Sequence, residues 1–262
     1  MEENEEINLT KILTSQKEQW PTKTFEKSEH IEVSKSGQVY VVIEGQVVAF
    51  DKRISKSVIK DTVTLKEGDP IGFAEAIAFK EPFFDYVANT PVKLLVVDAL
   101  KLRDVVSKAN VLATTVIRYV VSRIFDEVRS SKNYVFEDEF VNRNKDIFVL
   151  FRYAPDDRIF SSFSKNLYMY FIRYGQVEIS SSDGARLGLL EEGECFGESA
   201  IITNKDRTLD ATALTEVETI GIERSVVLRE LQKNSELVQL ATLVLLKRLE
   251  IMNHLKLSRG RS

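Results

Sequence analysis

Gln38 to Phe50 reads QVYVVIEGQVVAF, and Leu167 to Ser180 reads LYMYFIRYGQVEIS. Both are rich in Val, Ile, Tyr and Phe, and each carries a glycine within it. β-Branched and aromatic side chains fit a pleated surface, so both stretches are read as strand, turn, strand. Gly45-Gln46-Val47 recurs as Gly175-Gln176-Val177. Further on, Leu65-Lys66-Glu67-Gly68-Asp69-Pro70-Ile71-Gly72 recurs as Leu190-Glu191-Glu192-Gly193-Glu194-Cys195-Phe196-Gly197. The first offset is 130 (175 − 45) and the second is 125 (193 − 68), so the loop between them is five residues longer in the first copy. Recurrence at a fixed spacing sets the architecture: one unit built twice.

Each copy closes alike. PVKLLVVD (91–98) and EVETIGI (216–222) are read as strands. Helical patterns follow: Leu100, Leu102, Val105 and Val106, then 111–128 in the first copy; Val226, Val227, Leu228 and Leu231, then 237–255 in the second. Apolar residues at helical spacing give each a core-facing stripe. Asn234 and Ser235 are the expected caps of the last helix, with Asn110 matching Ser235 (235 − 125). A short amphipathic helix is expected over 5–19, ended by Trp20-Pro21, and a polar linker over 130–146. The expected fold is mainly β with flanking helices. It comprises two tandem β-barrel or jelly-roll domains, 1–136 and 137–262, each of about eight strands with C-terminal lid helices.

Composition excludes several classes. The chain has 262 residues, 44% hydrophobic and 29% charged, which is ordinary for a folded globular protein. One cysteine, Cys195, allows no intrachain disulfide. Two histidines, His30 and His254, leave no His/Cys cluster for a metal, and no metal is expected. With 36 basic and 40 acidic residues the net charge is −4, which gives no overall attraction to nucleic acid. The N-terminus carries Glu2, Glu3, Glu5 and Glu6, the reverse of a targeting peptide. The longest apolar stretch, 237–246, is too short for a bilayer span of about 20 residues. The expectation is a cytoplasmic protein that engages neither membrane nor nucleic acid. No Walker loop or nucleophile–base pair is visible, and no enzyme is expected.

The chemistry lies in residues 193–213, GECFGESAIITNKDRTLDATA. Two glycines permit positive φ or close backbone approach. Phe196-Gly197-Glu198 leads into a short helical turn, whose free N–H groups suit an anion. Glu198 offers a carboxylate for sugar hydroxyls, and Arg207 follows nine residues later with a guanidinium for phosphate. That set suits a compact sugar phosphate.

This stretch resembles the phosphate-binding cassette of the cyclic-nucleotide-binding domain family, F-G-E-x-A-L followed by R-x-A-x-V-x-A. Phe196, Gly197, Glu198, Ala200, Ile201, Arg207 and Ala213 match it. Leu209 and Ala211 depart from it, and the loop before Arg207 lacks the usual proline. The resemblance implies that Glu198 accepts a bond from the ribose 2′-hydroxyl and that Arg207 pairs with the cyclic phosphate. The N–H groups of Ser199 and Ala200 would complete the cradle, and Thr208 would touch phosphate or base. The implied ligand is cAMP or cGMP. A second reading stays open, in which Glu198 and Arg207 form a surface ion pair worth at most about 1 kcal/mol.

In the first copy, alignment on Gly72 puts Phe73 where the glutamate belongs and Pro82 where the arginine belongs (82 − 72 and 207 − 197 both equal 10). Glu75 lies two positions along. A buried phosphate would lack its partner, so this copy is read as a degenerate structural or interaction domain. Cys195 is read as small filling of a turn or as a redox-sensitive thiol, and Trp20 as a packing anchor. The stripe Leu240, Val244, Leu249 and Met252 reads as dimer seam or barrel lid. The function expected is a non-enzymatic sensor that binds cAMP or cGMP in its second domain. It would signal through the lid helices to a protein partner or in a homodimer. The alternative is a scaffold of the same fold that takes no nucleotide.

Overall fold

The computed structural model describes residues 7, 9–16, 20–34, 37–52, 62–125, 136–142, 148–165 and 167–260. The acidic N-terminus apart from Ile7, and most of the expected linker, lie outside the described residues. In chain order the first half holds α1 (Leu9–Gln16), β1 (Thr22–Phe25), β2 (His30–Ile31), β3 (Gln38–Glu44), β4 (Val47–Asp51), β5 (Thr62–Leu65) and β6 (Pro70–Ile71). It continues through α2 (Phe73–Ala78), β7 (Phe84–Ala88), β8 (Val92–Asp98), α3 (Ala99–Ser107) and α4 (Val111–Ile124). After a π-helical turn at Phe136–Val141 come β9 (Val149–Tyr153), β10 (Arg158–Phe160), β11 (Tyr168–Tyr174), β12 (Val177–Ser180), β13 (Arg186–Leu190) and β14 (Cys195–Phe196). The chain ends in α5 (Glu198–Thr203), β15 (Asp210–Ala213), β16 (Val217–Glu223), α6 (Arg224–Gln232) and α7 (Glu236–Gly260).

The strands form four antiparallel sheets, mainly β architecture with helices, as the alternation of strand and turn signals predicts. Their orders are β1-β8-β3-β6 and β2-β7-β4-β5 in the first half, and β9-β16-β11-β14 and β10-β15-β12-β13 in the second. Register agrees residue by residue: Tyr40 faces Val96 and Ile71, and Tyr170 faces Gly221 and Phe196.

The glycine turns explain why the chain changes sheet where it does. Gly45 and Gly175 have φ of +85° and +91° and lead the chain from one sheet into the other. A β-carbon would stand 2.3 Å from the Pro91 carbonyl oxygen at Gly45, and 2.2 Å from that of Glu216 at Gly175. The following N–H groups, of Gln46 and Gln176, donate to Thr90 and Thr215 hydroxyls at 3.0 Å. Any side chain here meets both a left-handed backbone and a backbone oxygen that cannot withdraw. Gly175→Ala should therefore lower stability by about 1–3 kcal/mol or more, measured by urea unfolding.

In the second half the core lies between the two sheets. Tyr170, Ile172, Val177, Leu190, Phe196, Ala211, Ala213 and Val217 form it. The other face of β11, Met169 and Phe171, is also buried, and α5 and α6 pack against this strand. That is why β11 reads as a continuous apolar run instead of alternating. Asn110 caps α4 by accepting the Ala113 N–H at 3.0 Å, and Val238 N–H reaches the Ser235 hydroxyl at 3.4 Å ahead of α7. Of the expected N-terminal helix, Leu9–Gln16 is helical and 17–19 lie outside the described residues.

The compact units depart from a cut after residue 136. Among the described residues, one lies within Asn110–Asn234, with Ile7 and 256–260; the other lies within 9–109 and Ser235–Leu255. Helix α4 thus groups with the second-half sheets, and most of α7 groups with the first-half sheets. Specific polar partners accompany this grouping. Within the first unit the Tyr119 hydroxyl donates to the Gly193 carbonyl. Within the other, Lys247 pairs with Asp69 at 3.2 Å and donates to the Glu67 carbonyl at 3.1 Å. The stripe residues Leu240, Val244, Leu249 and Met252 are buried.

Candidate functional site

Cassette residues 193–213 belong to the unit that holds Asn110–Asn234. Gly193 and Gly197 both take positive φ, +87° and +79°. The Gly193 N–H donates to the Ile172 carbonyl and the Ile172 N–H to the Glu194 carbonyl, both at 2.8 Å, which fixes the turn against β11. Gly197 then starts α5, and Asn204 ends it in the left-handed region. Phe196 points into the sandwich core, stacked on Tyr170 at 5.1 Å between ring centres. Ala200 is buried, Ser199 half-buried and Thr208 exposed.

Glu198 and Arg207 are each only 3% exposed, so the reading of them as a surface ion pair is incorrect. They also do not pair with each other. Glu198 Oε1 instead accepts from Arg123 of α4 at 2.6 Å, and Arg123 donates its other arm to the Cys195 carbonyl. The second carboxylate oxygen, Oε2, is buried without a hydrogen-bond partner among the described residues.

Arg207 is held by backbone and aromatic faces. Its Nη2 donates to the Tyr168 carbonyl at 2.7 Å and its Nη1 to the Gly197 carbonyl at 3.3 Å. Its guanidinium lies 3.7 Å from the Phe160 ring centre. The absence of a side chain at residue 197 makes this possible, because a β-carbon there would come within 2.5 Å of Nη1. Nε is buried and unbonded. Burial pushes the Arg207 pKa down, while Tyr170, Glu198 and Tyr153 push it back up. Two charge-assisted bonds at about 1.5–3 kcal/mol each, with a ring contact, offset much of the desolvation of the cation. The arrangement still leaves a buried positive charge with no carboxylate bonded to it among the described residues.

Beside Arg207 is a cleft of about 440 Å³ between β9, β10, β11 and the residues Ser161, Ser164, Lys165 and Leu167. Arg207 lines it, and Phe196, Glu198, Ser199, Ala200, Thr208 and Leu209 do not. Cys195 is buried in β14, and Trp20 is half-buried.

The first half holds a buried ion pair of its own. No arginine stands at 82, but Arg248 of α7 puts a guanidinium into the same unit. It lies 3.6 Å from Glu75 and 4.5 Å from the Phe84 ring centre, with side-chain exposures of 3% for Arg248 and 1% for Glu75. Arg123 and Arg248 are themselves 125 residues apart (248 − 123), the offset of the glycine motif. That equality was the available sign of the two arginines in the sequence.

The family model for the cyclic nucleotide-binding domain matches residues 150–234, from β9 to the end of α6. No curated protein gives a significant match to the sequence. Similar solved structures include the regulatory subunit of a cAMP-independent protein kinase A from Trypanosoma brucei. It is 17% identical over 84% of this chain and 79% of that chain, with a TM-score of 0.35. The regulatory domain of Toxoplasma gondii PKA, solved with cAMP, is 16% identical over 87% and 86%, with a TM-score of 0.33. The cAMP-bound form of the EAL enzyme Bd1971 is 32% identical over 43% of this chain and 32% of that chain, with a TM-score of 0.37.

Proposed function

We propose that this protein is a regulatory sensor that binds cAMP or cGMP in its second half, with Arg207 as the anchor of the phosphate. The observation that carries the reading is the buried Arg207 guanidinium, bonded to two carbonyls and, among the described residues, to no carboxylate, inside the segment that matches the family model. A planar cation of that kind is complementary to a phosphate edge. Glu198 supports it, since Oε2 is free to accept a ribose hydroxyl while Arg123 holds Oε1. On this reading Ser199 and Ala200 offer N–H groups to the phosphate, and Thr208 lies beside it.

The two halves are tandem copies of one fold, and only the second takes nucleotide. Binding is the activity, without catalysis, in the cytoplasm. The output is a change in α4, because Glu198 grips both ligand and Arg123. A ligand shifts such a helix only as far as its affinities for the two positions differ. A protein partner or a second copy reads that change.

The test is thermal unfolding of the whole chain with and without cAMP, cGMP and cyclic dinucleotides. A ligand at one hundred times its Kd should stabilise the protein by about 2.7 kcal/mol. A melting temperature unmoved by any of them would contradict the reading and favour a nucleotide-independent scaffold.

A further inference from the structure

We infer that Phe79 and Leu100, at the end of α2 and the start of α3, form a docking surface for an acidic segment of a protein partner, one that carries apolar side chains between its carboxylates. The inference stands whether or not a nucleotide binds at Arg207. Phe79 is 56% exposed and Leu100 is 60% exposed. A single exposed apolar residue is ordinary. These two are joined by a third side chain. Arg103 lies one turn after Leu100 on α3, and its guanidinium stands 4.9 Å from the Phe79 ring centre. The same arginine donates through Nη1 to the Ala76 carbonyl of α2 at 3.0 Å. The ring is thus set against a fixed cation before any partner arrives, which reduces the ordering that docking must impose.

The chain carries its own control for what the backbone requires here. Helices α2 and α5 each begin after a left-handed glycine, Gly72 and Gly197, and each ends at a left-handed residue with φ +54°. That residue is Phe79 in the first and Asn204 in the second, 125 positions apart (204 − 79). Asparagine visits this conformation readily, and a bulky residue does so at a cost. Leu100 likewise stands 125 positions before Ser225 (225 − 100), and each is the second residue of its helix. The same local backbone is therefore built elsewhere in the chain with two polar side chains. Phenylalanine and leucine at 79 and 100 serve something other than that backbone.

Charge selects the partner. Lys80, Lys101 and Arg103 flank the two apolar residues against one carboxylate, Glu81, and Asp104 is already paired with Lys108 at 2.7 Å. The chain as a whole has a net charge of −4, so a basic rim is a local departure from its overall sign. Such a rim attracts an acidic segment, whereas two copies of an acidic chain repel.

The test selects binders from a displayed library of random peptides on the whole immobilised chain and measures the affinity of the selected peptides by fluorescence anisotropy. The comparison is the double change Phe79→Asn with Leu100→Ser, which installs the residues found at the corresponding positions. Its melting temperature should equal or exceed that of the unaltered chain, because asparagine relieves the left-handed phenylalanine. The selected peptides should carry Asp or Glu beside apolar side chains. The double change should weaken them about tenfold or more, through loss of two anchors. Lys101→Glu, at an exposed position, should weaken them about two- to fivefold, the worth of one exposed ion pair. Selected peptides that are basic, or that bind the double variant as tightly as the unaltered chain, would overturn the inference, and so would a library that yields no binder. A lowered melting temperature in the double variant would assign both side chains to the fold's own packing and overturn it as well. Self-association in light scattering that the double change abolishes would give the surface to a second copy and overturn the acidic partner.

Discussion

Arg207→Ala is expected to abolish useful affinity for a cyclic nucleotide while leaving the sheets of the second half in place. Arg207 is 3% exposed and holds its guanidinium against Phe160 and two carbonyls. A phosphate entering this site exchanges its hydration for that cation. If the cation is removed, the phosphate is left desolvated without a partner. Truncating one member of a buried charge pair costs about 2–5 kcal/mol. At about 1.4 kcal/mol per decade, affinity should fall from about thirtyfold to several thousandfold. Arg207→Lys should recover only part, since an ammonium lacks the flat two-pronged edge. The variant should keep its fold because Arg207 is not among the apolar residues that form the core between the sheets. Affinity by isothermal titration and stability by urea unfolding separate the two effects.

The second large effect concerns the other unit. Arg248 and Glu75 are buried 3.6 Å apart, and neither Arg248 Nη1 nor Nη2 nor Glu75 Oε1 has a hydrogen bond. Arg248 also lies over Phe84 and Phe83. Arg248→Ala leaves a carboxylate buried with no counter-charge, which costs about 3–5 kcal/mol. That is a large share of the 5–15 kcal/mol typical of a folded domain, so the unit should unfold at much lower urea. The double change Glu75→Met with Arg248→Leu should recover most of the loss, because apolar side chains of similar volume replace a poorly bonded pair. A single change as mild as a surface substitution would show that water reaches the pair. Ligand affinity at Arg207 should be unaltered in the double variant, which separates this effect from the first.

Much of this could be read from residues alone. Gly45 and Gly175 declared two equivalent turns, because only a glycine tolerates positive φ that close to a carbonyl oxygen. The Phe196-Gly197-Glu198 motif, with Arg207 ten residues after Gly197, marked the stretch that the family model also covers. Partners were harder to read. Pattern along the chain shows that α4 and α7 have apolar stripes, but not which sheets those stripes cover. The grouping of α4 with 110–234 and of α7 with 8–109 is decided by packing. Arg123 and Arg248 went unnoticed for the same reason. Each meets a carboxylate that is remote in sequence: Glu198 is 75 residues from Arg123, and Glu75 is 173 (248 − 75) from Arg248. Alignment of Pro82 with Arg207 showed that one guanidinium was missing, and Arg248, which matches Arg123 at the offset of 125, does not replace it. The cleft was invisible in the same way. Its walls come from β9, β10 and β11, and the cassette contributes only Arg207.

The account stands most directly on stoichiometry. Isothermal titration of the whole chain with cAMP and with cGMP should give one bound nucleotide per chain for at least one of them. That binding should be lost in Arg207→Ala and retained in the Glu75→Met, Arg248→Leu double variant. Two nucleotides per chain, none, or one that survives Arg207→Ala would contradict it.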